Sequence, residues 1–402
     1  MGFLYINSHG KQWKQHSYTA GNDWDGCPYR YYLRRVLGWK EKNVRARFEL
    51  GKAFEDAVEY FHNNQGDLQG AMAHFTEKWK PFQDVKELQY TKVERDWATC
   101  HKIGLDWLRL YAIKRPSLPI PLGGAVKFQQ KYAKEVFPND PIYGEIEDTG
   151  KLDMVAWVDP EHPALARLDW KPEYGAFRPL VIDIKTAGAD FPETYGLAAH
   201  DTQLRRYSWL SGIRDVAFLW FVKRGLGIQK GYSVTLLEKA GYMEAGAEAV
   251  VAAVEGDSIW LLPNDFMTDE MDKVTKAAKE AAPKGKKETS ADAAKAEWLE
   301  KNGVRTTADA VTKQRLQFNA GFVTIDSAND AGAIARKQIV EIVNARLADS
   351  YPNTFSVRYP KNDLGDPYFR AFGLNDVMFR NQNFVKSDED IDIFAEDTEG
   401  DD

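Results

Sequence analysis

Cysteine is nearly absent from this chain: its 402 residues contain two, Cys27 and Cys100, in no CxxC or zinc-type spacing. That excludes a disulfide framework and a thiolate-rich zinc site, and it fits a reducing compartment. Long apolar runs are missing as well. No stretch approaches the roughly 20 apolar residues of a membrane span, and the opening MGFLYINSHGKQWKQ lacks the apolar run of a secretory signal. There is no GxxxxGK[ST] phosphate loop, so no helicase-type motor, and no internal repeat. A soluble cytoplasmic chain without a membrane partner is expected.

Positive charge is scarce overall, with a net charge of −7 that at first disfavours a polyanionic ligand. The deficit is local. The tail 387–402, SDEDIDIFAEDTEGDD, holds nine acidic residues and no Lys or Arg, which leaves the remainder at +2. A slightly basic body can present a local cationic groove, and a tail this poor in apolar residues is expected to stay disordered. Disorder is not expected elsewhere, because 44% hydrophobic and 13% aromatic residues supply a large core.

Residues 28–37 predict an amphipathic helix. Tyr29, Tyr32, Leu33, Val36 and Leu37 fall on one apolar face, Pro28 suits the first turn and Gly38 the stop. Arg30, Arg34 and Arg35 lie off that stripe, as a solvated face or as contacts to a phosphate backbone. A second helix is predicted over 48–62, burying Leu50, Phe54, Ala57, Val58 and Phe61, with Glu55, Glu59 and His62 on another face. Further helices are expected over 70–114, 201–212 and 331–350.

Strand character begins near Ile142. In GKLDMVAWV (150–158) the alternation predicts Leu152, Met154 and Ala156 on one face and Asp153, Val155 and Trp157 on the other. In PLVIDIKTA (179–187), Leu180, Ile182 and Ile184 oppose Asp183 and Lys185. The runs 216–223 and 229–237 read as a hairpin through Gly225 and Gly227. Residues 263–325, rich in Ala, Lys and Glu, read as a helical insertion or lid. A core over 1–262 and a C-terminal segment 326–386 packing on it complete the expected organisation.

Asp183-Ile184-Lys185 on a strand points a carboxylate and an ammonium the same way. Pairing with the strand of Asp153 would bring two carboxylates to one divalent cation. Such a cation neutralises a phosphate and lowers the pKa of a bound water, and Mg²⁺ or Mn²⁺ suits a few hard oxygen ligands. A nearby Lys orients the water and offsets charge developing on phosphorus. Asp-x-Lys alone is a common surface pair, so the motif has weight only in company.

The company is GKLDMVAW, VIDIKTA and QLRRY, preceded by CPYRYYLRRVLG (27–38) and GKAFEDAVEYFH (51–62). In this order over residues 17–237 they resemble the PD-(D/E)XK nuclease superfamily, in its RecB-type branch with Gly-x-x-Asp, Asp-x-Lys-Thr and Gln-x-x-x-Tyr. The resemblance implies an α/β restriction-endonuclease-like core, a central mixed sheet flanked by helices, with a helical insertion. It implies metal ligation by Asp153, Asp183 and the Ile184 carbonyl, a catalytic Lys185, and Gln203 and Tyr207 beside the site. Glu55 stands where many relatives carry a metal-binding His and is a third candidate ligand. Arg206, with Arg30, Arg34 and Arg35, is a candidate DNA contact. Some relatives hold an iron–sulfur cluster on four thiolates. Cys27 takes the place of the first, but 359–375 has no cysteine, so no cluster is expected.

The expected function is metal-dependent hydrolysis of DNA, by analogy an exonuclease in recombination or processing and of phage origin. The rivals are a structure-specific or single-strand endonuclease on the same site, and a non-catalytic DNA-binding or assembly protein on the same fold. Ile391, Ile393 and Phe394 among acids resemble the tip of single-strand-binding proteins, which leaves a single-strand-binding or annealing protein open as a partner.

Overall fold

The computed structural model describes residues 15–386 except 87, 145, 169–176, 193, 349, 352–354 and 356–365. The acidic tail 387–402 and its expected disorder lie outside the described residues.

A six-stranded mixed sheet lies between two helical layers. Its strands are β1 (Gln15–Ser17), β5 (Val126–Glu135), β6 (Glu147–Val158), β7 (Arg178–Ala187), β8 (Asp215–Val222) and β14 (Arg315–Phe322). One edge of β6 pairs antiparallel with β5; along the other lie β1, parallel at 147–149, and β7, antiparallel at 154–158. β7 runs parallel to β8 through the crossover helix α6 (Thr202–Ser211), and β14 pairs antiparallel with β8. This is the α/β class expected from the sequence.

Each helical layer owns one core. α3 (Ala46–Asn63), α4 (Leu68–Trp79) and α5 (Trp97–Lys114) cover one face, where Phe54, Phe75 and Trp107 pack with Ile182, Leu219 and Phe221. The predicted stripe of α3 is the buried one: Leu50, Phe54, Ala57, Val58 and Phe61 are all enclosed. The rings of Phe54 and Phe221 meet edge to face at 4.5 Å. On the opposite face α1 (Tyr18–Gly26), α6 and α9 (Ile325–Leu347) pack on Val155, Val181, Val216 and Phe218. Register at the start of the parallel β7–β8 pair is held by Arg178, whose Nε donates to Asp215 Oδ2 at 2.6 Å inside the protein. Removing one partner of such a pair costs about 3–5 kcal/mol, because the other charge stays buried alone.

The 28–37 helix forms as α2 (Pro28–Tyr31) continued by a π-helical turn Tyr32–Val36, and Gly38 adopts φ +75° where a helix stop needs it. Trp39–Glu41 (β2) pairs with Phe384–Lys386 (β15), bringing the end of the described chain back onto Leu33 and Tyr368.

Two expectations fail. β8 does not form a hairpin with the next strand. β9 (Ser233–Leu236) joins β10 (Glu248–Glu255), β11 (Ser258–Leu262), β12 (Val304–Thr307) and β13 (Val311–Thr312) in a separate five-stranded sheet. The segment 263–325 is helical only through α7 (Asp265–Ala281) and α8 (Lys287–Asn302), which back that small sheet through Met271 and Leu299. Beyond them the chain returns to strands, and β14 fills the place beside β8 that a hairpin partner would have taken. An apolar run such as DVAFLWFV specifies burial on both faces but not which strand lies beside it.

Two buried histidines each add a destabilising trend as pH falls. Burial first and Arg206 second pull His16 down to about 3, while burial and Arg115 pull His62 down to about 4. Unfolded, each takes a proton near 6.5. A base with a depressed folded pKa stabilises the native state fully above 6.5 and progressively less as pH falls. The slope is about 1.4 kcal/mol per pH unit for each group. In thermal melts from pH 7 to 4.5 the double variant His16→Gln/His62→Gln should lose less Tm, or gain more, than the unsubstituted protein, in which the buried carboxyls Glu55, Asp148 and Asp183 add the opposite trend. An unchanged slope in the double variant would mean that the histidines add no such trend.

Candidate active site

β6 and β7 pair from Met154↔Ile182 to Val158↔Arg178 and then part, so their fork opens at Asp153 and Asp183. β1 rejoins the same edge of β6 only at Thr149. The edge of β6 at 150–153 therefore faces a gap. Across that gap the Ile184 N–H donates to Asp153 Oδ2 at 2.9 Å, so a carboxylate accepts where a neighbouring strand's carbonyl otherwise would.

The strands bend here. Leu152 packs on the α6 side, but Met154 and Ala156 pack on the α3 side, so the expected regular alternation breaks at Asp153. In the antiparallel partner β5 the pairs Phe128↔Met154 and Gln130↔Leu152 flank this level, and the residue between them, Gln129, has φ +51°. That left-handed residue turns β5 over at the same level, and the two strands change face together. β7 keeps its period: Leu180, Ile182 and Ile184 face α3, with Val181 on the α6 side.

From Lys185 a chain of contacts leads to α6. Its Nζ lies 2.6 Å from Asp183 Oδ2 and donates to Gln203 Oε1 at 3.1 Å. Gln203 Nε2 in turn donates to Tyr207 Oη at 2.6 Å. The i, i+4 spacing stacks Gln203 and Tyr207 on one face of α6. Asp201, which the sequence reading overlooked, caps that helix by accepting from the N–H groups of Gln203 and Leu204. Its signal was present as an Asp directly before the periodic residues of a helix. Gly150 lets α6 approach, since a Cβ there would stand 2.7 Å from Leu210 Cδ1 and 3.3 Å from the Tyr207 ring.

Electrostatically the fork holds more negative charge than it can satisfy. Burial, then Asp153 and Asp183, raise the Glu55 carboxyl well above its ordinary range. Burial raises Asp153, against Lys185 and the Ile184 N–H. Asp183 rises to about 8 through burial, opposed by Lys185 and reinforced by Asp153. For Lys185 burial works downward, but Asp183 and Asp153 outweigh it and the ammonium is held more firmly than usual. Three carboxylates face one ammonium. Apart from that ammonium, no N–H or hydroxyl among the described residues donates to either buried Asp183 oxygen. Acceptor-only oxygens with an excess of two negative charges suit a hard divalent cation. Among the described residues no group of three or more His, Cys, Asp or Glu side chains is already set to hold a metal ion, and Lys185 occupies the Asp183 carboxylate instead.

The structure thus brings together Glu55, Asp153, Asp183, Ile184, Lys185, Gln203 and Tyr207. It does not bring Arg206 or Arg35 to a surface where a backbone could lie. Arg206 is 3% exposed, its Nε donating to Asp148 Oδ2 at 2.8 Å and its Nη1 to Gln338 Oε1 at 3.2 Å. Arg35 is buried against Asp23 at 2.9 Å. Both are corrections: Arg206 stands one helical step, about 100°, from Tyr207 and so turns into the core between α6 and the sheet, while Arg35 is drawn back onto Asp23 of α1. Arg30, 2.7 Å from Asp366, and Arg34, 3.3 Å from Asp23, keep about a third of their side chains exposed. His62 is enclosed and bonded to Tyr111 Oη at 2.7 Å, and Tyr31 is core; Cys27 and Cys100 are buried on separate elements.

Among known proteins, residues 15–214 match the family model of the PD-(D/E)XK nuclease superfamily. No curated protein matches. Among solved structures, one described as the crystal structure of SSO0001 aligns at 14% identity over 48% of this chain and 67% of that one, with a TM-score of 0.17. At that score the alignment bears on neither fold nor function.

The close approach at Gly150 is testable. Gly150→Val should force Leu210 and Tyr207 outward at a cost of about 1–3 kcal/mol, read as a lower Tm, whereas Gly188→Ala, with nothing within 4 Å of its new Cβ, should leave Tm unchanged. Equal melts for the two variants would mean that α6 is not seated on Gly150.

Proposed function

We propose that this PD-(D/E)XK nuclease superfamily domain hydrolyses DNA phosphodiesters with a divalent cation, and does so from DNA ends. The observation that carries the reading is the fork itself: two strand carboxylates, Glu55 from a facing helix and a lysine tethered to a glutamine–tyrosine pair, all at one break in the sheet.

Glu55, Asp153, Asp183 and the Ile184 carbonyl would hold the cation. Mg²⁺ or Mn²⁺ there would supply positive charge against the phosphate and lower the pKa of a bound water. The chain's own contributions follow from its geometry. Asp183 and Gln203 hold the Lys185 ammonium from two sides, so its position is fixed before substrate arrives. Its firmly held proton keeps it cationic, suited to stabilising charge that builds on a phosphate oxygen rather than to accepting a proton. Tyr207 fixes the Gln203 amide so that its carbonyl faces Lys185. Arg30 and Arg34 remain the exposed cations near α2 for backbone phosphates. End-directed action rests on analogy with the Gln-x-x-x-Tyr branch, as do a role in recombination or processing and a phage origin.

The decisive assay uses end-labelled linear and covalently closed circular DNA with and without Mg²⁺. Linear DNA should be degraded only with the cation, while circular DNA stays intact; cutting of the circle would favour an endonuclease. Asp183→Asn and Lys185→Ala should each lower the rate by at least about 10²-fold without unfolding the protein. Near wild-type cleavage by either sinks the assignment, and no cleavage by the unsubstituted protein would favour a DNA-binding or assembly role.

The raised carboxyls give a second test that does not depend on activity. Because ligands must be deprotonated, Mg²⁺ binding near pH 7 should release protons, seen as buffer-dependent heat in titration calorimetry. Glu55→Ala should weaken that binding and Glu55→His should restore part of it. Unchanged metal affinity in the Ala variant would return Glu55 to an ordinary surface role.

A further inference from the structure

Phe48 is out of place for a core-forming residue. It lies in the first turn of α3 with 54% of its surface exposed, although the same helix buries seven apolar side chains. Cations gather on it: the Arg47 guanidinium lies 4.7 Å from the ring centroid and that of Arg45 lies 6.0 Å away. Lys52 follows one turn later, 64% exposed. The carboxylates near these cations hold them loosely, with Arg45 at 3.9 Å from Glu41 and Lys52 at 3.6 Å from Glu49. Exposed pairs of this kind contribute little, so both cations stay available to another anion.

Position makes the patch more than an exposed ring. Phe48, Lys52 and Glu55 stand at i, i+4 and i+7, which places them on one face of α3. Helical rise puts the Phe48 level about 10 Å along the axis from Glu55. Between them Gly51 brings the helix backbone against β7, where its missing Cβ would lie 3.5 Å from Thr186 Oγ1, next to Lys185. A strand whose phosphodiester lay at Glu55 would run past Lys52 with a neighbouring base at Phe48.

We propose that Phe48, flanked by Arg45 and Arg47, is a nucleobase-stacking site for single-stranded DNA entering the fork, with Lys52 contacting the intervening phosphate. Every base has a π-face, so an aromatic ring with adjacent guanidinium groups binds a strand without reading its sequence. A paired base in a duplex offers no free face to the ring, so the site selects unpaired strands or frayed ends. This inference rests on the reading of the fork as a phosphodiester site.

The test is a binding cycle by fluorescence anisotropy in Mg²⁺, using full-length protein carrying Asp183→Asn so that oligonucleotides stay intact. Oligo-dT and an abasic oligonucleotide of the same length are the probes. Phe48→Ala should weaken oligo-dT binding about tenfold and leave abasic binding unchanged, and Phe48→Trp should retain oligo-dT affinity. Equal loss on both probes, or no loss on oligo-dT, overturns the stacking site. Cleavage by the unsubstituted protein is scored separately. A chain that binds through Phe48 but never cuts overturns the hydrolytic reading alone. One that cuts while its binding ignores Phe48 overturns the present inference alone.

Discussion

One hydrogen bond from the backbone to a side chain organises this molecule. The Ile184 N–H has no strand partner on the β6 side, and the Asp153 carboxylate accepts it at 2.9 Å. A buried N–H left unpaired would cost about 1–3 kcal/mol, so the bond stabilises the open fork while fixing Asp153 beside Asp183. The gap lets α3 present Glu55 from one side of the sheet and α6 present Gln203 from the other. Continued pairing of β6 and β7 would have closed that gap and left the carboxylates as edge charges on a finished sheet.

The excess charge has the opposite sign of effect. Three carboxylates and one ammonium in a partly enclosed space strain the fold, and the upward shifts of Glu55 and Asp183 measure that strain in protons. The outer scaffold tolerates it because two cores, one on each face of the sheet, and the Arg178–Asp215 pair hold the strands independently of the fork. Stability lies in the layers and chemistry in the break between them, as expected of a site built on rigid elements.

Much of this was legible in the sequence. The α3 stripe, the faces of β7 and the i, i+4 pair on α6 follow from periods of 3.6 and 2, and the residues that meet at the fork are those named from the motifs. Asp153 was placed on a regular strand, but the turn-over of β5 at Gln129 that shifts its face depends on a conformation that glutamine rarely adopts and no pattern signals. Arg206 misled because its partners, Asp148 and Gln338, are remote in the chain, so nothing local marks it as buried. The β8–β14 pairing was hidden for the same reason. Its residues are separated by an entire inserted sheet, whereas local pattern sees only neighbours.

That separation bears on the order in which the chain assembles. β8 and β14 meet as directly as the arms of a hairpin, with Val222 opposite Arg315, yet residues 223–314 intervene. Closing so long a flexible loop costs about 3 kcal/mol more than closing a tight turn, a penalty that falls on the last strand of the central sheet. The inserted unit can remove it in advance. β9, its first strand, pairs with β13, its last, with Val311 opposite Leu236, so once the small sheet has formed its two ends leave side by side. The remaining span to be closed is then short, and β14 is delivered to β8 by a unit that has already folded.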